Sequence, residues 1–209
     1  MVVVYVEGAA PGKAARAQAR EAFKELMGKC GCAKNKFRFE PCGSRKPAYD
    51  DFVHSLSTNR ANTYSMLLVD SEDAVSAAHT KAPDGGWQHL QQREPWGQRP
   101  QGCADDQCQL MATCMETWIM SDQATLNRLF RDCLRAGRLM AIHQLENQHR
   151  HRVHDALVEA TEHCRRNKGF RKGERSFEVV AELEPLALRQ LPHFVKFETA
   201  LKAAIVAHP

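Results

Sequence analysis

This sequence lacks the features that would give a simple assignment. None of its runs approaches the roughly 18 apolar residues of a membrane span. The start has no basic stretch leading into a long apolar core with a small-residue cleavage site, because Val2–Val6 is short and meets Glu7 at once. These absences predict a cytoplasmic chain without a membrane partner, and therefore cysteines that are reduced rather than bridged. There is no H-E-x-x-H metal helix, since His149, His151 and His154 stand at spacings of two and three. The Gly8–Lys13 turn does not match G-x-x-x-x-G-K-[ST], and no Ser or Thr follows Lys13. Internal repeats and low-complexity tracts are missing too.

Paired C-x₂₋₄-C knuckles are also absent. Of the eight cysteines, Cys30 and Cys32 form C-x-C, with Cys42 further on, and Cys103, Cys108 and Cys114 make a looser set. Reduced structural thiols are the default reading, and a zinc-bound regulator is the weaker alternative.

What is present describes an ordinary globular domain. Of the 209 residues, 43% are hydrophobic and 26% charged, and the net charge is +4. That charge permits nucleic-acid binding without arguing for it. The basic residues concentrate between 147 and 175: His149, Arg150, His151, Arg152, His154, His163, Arg165, Arg166, Lys168, Arg171, Lys172 and Arg175. A solvated basic helix start is the first reading and phosphate contact the second. The length suits one domain, 1–209, with a core to about residue 145 and a helical C-terminal extension after it.

The hydrophobic pattern alternates between strand and helix. Val2–Val6 reads as a strand, Gly12–Met27 as a helix, Lys36–Pro41 as a strand, Pro47–Ser57 as a helix and Met66–Val69 as a strand. This β-α-β-α-β order predicts a three-layer, mostly parallel α/β sheet with added C-terminal helices. Residues Thr80–Gln107, rich in Pro and Gly, read as a long loop. Helices are expected at Asp106–Met120, Ala124–Ala136, Arg152–Arg166, Ser176–Leu183 and Pro192–Val206, and a short strand or loop at Leu139–Leu145.

Two buried-looking strands end in acid. Glu7 follows the first, and Asp70, Glu72 and Asp73 end the other. In an open parallel sheet ligands gather at the carboxyl ends of the strands, so these acids are expected on one rim. Asp70 and Glu72 share a side if the chain stays extended; alternatively the turn aims all three inward. Carboxylates grouped in this way suit Mg²⁺. Glu116, between Met115 and Trp118, is either buried at a cost or faces outward. Asp122 can cap the following helix. Arg45 in its Gly-Ser-Arg turn, and Lys172 with Ser176, are either surface residues or anion contacts.

The segments Tyr5-Val6-Glu7-Gly8 and Leu68-Val69-Asp70-Ser71-Glu72-Asp73 resemble the Toprim domain of topoisomerases, primases and OLD-family nucleases. With Cys42-Gly43-Ser44-Arg45, Met115 through Asp122, and Lys172 through Ser176, the chain resembles a group of small Toprim-like bacterial proteins found beside an AAA-type ATPase in phage defence. The resemblance implies a nuclease cleaving DNA or RNA with Mg²⁺ or Mn²⁺. It implies Glu7 as general acid/base or second-metal ligand, Asp70 and Glu72 as metal ligands, and Asp73 as a substitute ligand. Glu116 and Asp122 complete the acidic set, and Arg45, Lys172 and Ser176 hold phosphate. Glu72 stands where the commonest residue is Asp. The alternative is a non-catalytic interaction subunit of an ATPase complex, and a homo-oligomer stays open.

Overall fold

A computed structural model describes residues 1–8, 12–58, 63–164 and 169–209. Ala9, Ala10 and Pro11 of the first turn, and Arg165, Arg166 and Lys168 of the basic cluster, lie outside the described residues. The chain opens with β1 (Val2–Val6), α1 (Lys13–Lys29), β2 (Phe37–Pro41), α2 (Arg45–Ser57) and β3 (Tyr64–Asp70), the expected order. A fourth strand, β4 (Cys108–Met111), completes a parallel sheet ordered β2-β1-β3-β4.

That strand corrects the expected helix at Asp106–Met120. A 3₁₀ turn at Asp105–Gln107 leads into β4, and only α5 (Met115–Ser121) is helical. All four β4 residues are buried, and four residues with one polar member, Gln109, carry too little alternation to mark a strand. Leu110 and Met111 instead fall into the helical spacing of Cys114, Met115 and Trp118.

The expected loop at Thr80–Gln107 is also corrected. It contains α4 (Gly85–Arg93), preceded by α3 (Ala77–Lys81). Gly85 and Gly86 look like turn residues, but they are there to let backbones touch. A Cβ on Gly85 would lie 1.7 Å from the His79 carbonyl oxygen, and one on Gly86 2.1 Å from that of Cys108. This close approach seats Trp87 and Leu90 in the core beside β4.

The remaining elements are α6 (Gln123–Phe130), α7 (Arg150–Thr161), α8 (Glu174–Glu182), α9 (Pro185–Leu188) and α10 (Pro192–Ala207). The expected helix at Ala124–Ala136 ends early in a 3₁₀ turn at Arg131–Cys133. A further 3₁₀ turn at Ala136–Arg138 follows, and at Leu139–Leu145, read as a short strand or a loop, there is no strand: a 3₁₀ turn at Ile142–Asn147 covers its second half. Helix α7 begins two residues before its expected start, where His149 Nδ1 accepts the His151 N–H at 3.3 Å.

Period-two alternation gives the sheet two apolar faces. Val2, Val4, Val6, Phe37, Phe39, Met66 and Leu68 join a core with α1, α5, α8 and α10. Leu67, Val69 and Leu110 join the other core with α2 and α4. The result is the predicted three-layer α/β fold. The C-terminal helices cover one sheet face: α8 packs along α1, and α10 against β4 and β1. Their Phe177, Phe194 and Phe197 meet Phe23, Phe39 and Trp118 edge-on or stacked.

The expectation of wholly reduced cysteines is corrected as well. Cys133 and Cys164 form a disulfide, their Cα atoms 4.9 Å apart although they are 31 residues apart in sequence. Only the folded path brings the end of α7 beside the turn after α6. The other six cysteines are free and buried. Among the described residues, no helix is long and apolar enough to cross a membrane.

Candidate active site

Chain order defines the site before any side chain is considered. The chain passes from β1 to β2 on one side, then crosses back to β3 on the other. The helix after β1 packs on one face of the sheet, and α4, after β3, packs on the opposite face. The carboxyl ends of β1 and β3 therefore flank a topological switch point, where open α/β sheets bind ligands. Glu7 directly follows β1 and Asp70 is the last residue of β3.

Two glycines shape the rim. Gly8 N–H donates to the Gly43 carbonyl at 2.6 Å, and Gly43 N–H donates back at 3.0 Å. Their φ values of +126° and +89° belong to the region that favours glycine. This clasp joins the turn after β1 to the turn that enters α2.

A cavity of about 550 Å³ opens at this rim. Glu7, Asp70 and Glu116 line its acidic part, and Arg16, Ser44 and Lys172 supply donors around it. Asp70 N–H donates to Glu7 Oε2 at 3.1 Å, and Asp70 Oδ1 accepts the Met115 N–H at 3.1 Å. Asp70 thus holds the first amide of α5, a helix start that favours a negative charge. Burial pushes the Glu7 pKa up to about 7, with the Arg45 charge opposing. Burial, with the charges of Glu7 and Glu116, also raises Asp70 well above the usual carboxylate range.

Glu116 faces inward, which settles the alternative left open by the sequence. It is 1% exposed, and its Oε1 has no hydrogen-bond partner. Lys172 Nζ and His154 Nδ1 each stand 3.8 Å from that oxygen, beyond hydrogen-bond reach. Burial opposes its charge, yet these two cations outweigh it and hold the Glu116 pKa low. Glu116 in turn raises His154. Burial works against the Lys172 charge, and Glu116, Asp70 and Glu7 together more than reverse that.

Glu72 and Asp73 depart from expectation. Glu72 has φ +68°, so the chain does not stay extended beyond Asp70. Its carboxylate meets Arg45 at 3.5 Å, Arg93 at 3.4 Å and Arg150. Asp73 pairs with Arg93 and, at 3.4 Å, with His149. Neither lines the cavity, and their oxygens pair with guanidinium and imidazole groups.

The remaining candidates divide. Arg45 also binds Glu94 at 2.8 Å, while its Nε and Nη1 are buried without partners. Ser176 is buried and donates to the Arg171 carbonyl at 3.2 Å. Asp122 caps α6 through the Thr125 N–H at 3.0 Å and accepts the Glu184 N–H at 2.8 Å. Ser176 and Asp122 hold the scaffold together and do not line the cavity. Sequence reasoning missed Arg16 and Ser44. Both stand at the start of a helix entered from a strand's carboxyl end, and that position was a usable signal.

A divalent cation can be tested against these groups. Among the described residues, no three or more His, Cys, Asp or Glu side chains form a group able to hold a metal ion. The cavity instead offers the hydrogen-bonded Glu7–Asp70 pair, crowded with like charge. Two carboxylate oxygen donors without a protein cage fit Mg²⁺, which keeps several waters and binds through one or two carboxylates.

Fold and site together define an α/β protein with a carboxylate-lined, donor-rimmed cleft at its sheet switch point. The chain belongs to the family described as Domain of unknown function (DUF4276), whose match covers residues 6–202. No curated protein and no solved structure matches it.

Proposed function

We propose that the cavity hydrolyses phosphodiester bonds of a nucleic acid with the help of a divalent cation, as the Toprim resemblance implies. The observation that carries this reading is the Glu7–Asp70 pair at the switch point, facing donors suited to phosphate. Glu7 and Asp70 would hold the ion. A bound Mg²⁺ or Mn²⁺ supplies Lewis acidity and lowers the pKa of its water.

The chain's own groups do the rest. Met115 N–H fixes Asp70, so its carboxylate needs no reorganisation. Glu7, whose pKa burial raises to about 7 without the ion, would give up its proton as the ion binds. Arg16, Lys172 and the N-terminus of α2 at Ser44 receive phosphate oxygens. Arg45, behind Glu7, balances its charge.

The test is a cleavage panel of DNA and RNA strands with Mg²⁺ or Mn²⁺, comparing wild type with Glu7→Gln and Asp70→Asn. Metal-dependent cleavage lost in both variants is the expected result. Equal cleavage by both folded variants would overturn the reading.

A further inference from the structure

Behind Glu116 lies a second cavity, of about 260 Å³, that the proposed chemistry does not use. It is lined by Cys114, Glu116, Arg150, His151, His154 and Lys172. Glu116 and Lys172 line both cavities, so the two sites share a wall of side chains. Four of its six lining residues carry N–H donors, and Glu116 is the carboxylate among them. Arg150 is fixed in place by Glu72. The Cys114 thiol is fully buried, and burial holds its pKa well above the usual value, so it adds no charge.

The rim adds an independent feature. The imidazoles of His149 and His151 stack with ring centroids 5.0 Å apart and planes 29° apart. Both residues sit at the start of α7, His151 lines the cavity, and the stacked pair stands as an aromatic ledge in contact with solvent: His149 has 50% of its side chain exposed, and His151 is exposed. A donor-lined recess beside a flat π-face is the arrangement that holds an unpaired nucleotide, with phosphate in the recess and base on the ring. A paired base stays stacked within its duplex and cannot use such a ledge.

We propose that this cavity and the His149–His151 ledge form a subsite for the nucleotide next to the phosphate held over Glu7 and Asp70, selecting unpaired over duplex strands. The proposal rests on the phosphodiester reading of the larger cavity.

The test measures binding without cleavage, in EDTA, by fluorescence anisotropy. The probes are a labelled single strand of about ten nucleotides, the same sequence as a duplex, and a labelled abasic strand of the same length, which keeps the phosphates and lacks the bases. Wild type binds the single strand more tightly than the other two. His151→Ala weakens the single strand by about five- to tenfold, the scale of one lost base stack. It leaves the abasic strand within about twofold, and His151→Tyr restores binding of the full strand. His151 is surface-exposed, so these variants keep the fold. Equal weakening of the full and abasic strands by His151→Ala, no weakening of either, or equal wild-type affinity for duplex and strand overturns the subsite. If the strand binds as described but Mg²⁺ or Mn²⁺ brings no cleavage, the hydrolytic reading fails and the subsite stands. Cleavage without the strand preference removes the subsite and leaves the hydrolytic reading in place.

Discussion

The backbone N–H of Asp70 donates to Glu7 Oε2 at 3.1 Å, so the end of β3 grips the side chain that follows β1. The bond spans 63 residues of sequence and joins two neighbouring strands at their carboxyl ends. It makes the two carboxylates one electrostatic unit in which burial raises both pKa values and the Glu7 charge lifts Asp70 further.

Replacing either acid by its amide should remove metal-stimulated cleavage, by about two to three orders of magnitude. The fold should survive, because the amides keep the shape and remove a buried charge. Asp70→Ala should behave differently. It loses the bond to Met115 N–H at the start of α5 and should lower stability by about 1–2 kcal/mol. Thermal melts beside the cleavage assay distinguish chemistry from folding.

Stability should depend on pH in the direction set by the raised carboxyls. Glu7 binds its proton more tightly when folded, so its contribution is fully present below its ordinary pKa of 4.5 and is lost as pH rises through about 7. Asp70, also raised, acts in the same direction. Metal-free protein should therefore lose stability, by about 2–3 kcal/mol, between pH 5 and pH 8. Glu7→Gln should flatten that slope, and Mg²⁺ should raise the melting temperature more at pH 8 than at pH 6. Urea titrations in EDTA across this range provide the check, and a slope of opposite sign would contradict the assignment.

Glu72→Gln should cost about 2 kcal/mol, because Arg45, Arg93 and Arg150 lose their shared anion, although Arg45 keeps Glu94 and Arg93 keeps Asp73. The three guanidinium groups come from α2, α4 and α7, so the loss should loosen contacts between helices rather than one turn. Hydrogen exchange should show weaker protection in α4 and at the start of α7.

Gly86→Ala should destabilise strongly, since a Cβ there would lie 2.1 Å from the Cys108 carbonyl oxygen. The expected cost is several kcal/mol, with soluble yield falling accordingly. Gly137→Ala, with nothing within 4 Å of the added carbon, is the matched control and should stay close to wild type.

The early half of the fold was legible because its strands and helices carry opposite periodicities. Val2–Val6 and Phe37–Pro41 alternate or end sharply, and Ala19, Ala22, Phe23 and Leu26 repeat at helical spacing. Strand β4 was hidden because it is buried on both sides and adjoins a helix of the same composition. Helix α4 was hidden because its glycines serve close packing rather than a turn. In the site, Glu7 and Asp70 were found from strand ends alone. The destination of Glu72 was not, because a single positive φ after Asp70 redirects it toward arginines from three distant helices. The Cys133–Cys164 pair was equally out of reach, since spacing says nothing about which cysteines the packing brings together.

The reciprocal bonds between Gly8 and Gly43 have a mechanical consequence. They tie Gly8, at the end of β1, to Gly43, just beyond β2, so these two points of the mouth are fixed to the sheet. Phe177 of α8 sits beside Gly8, and Lys172 and Gly173 just before that helix line the same cavity. The mouth is therefore braced on the sheet at the clasp and on α1 through α8, so a ligand enters a site whose frame is already in place.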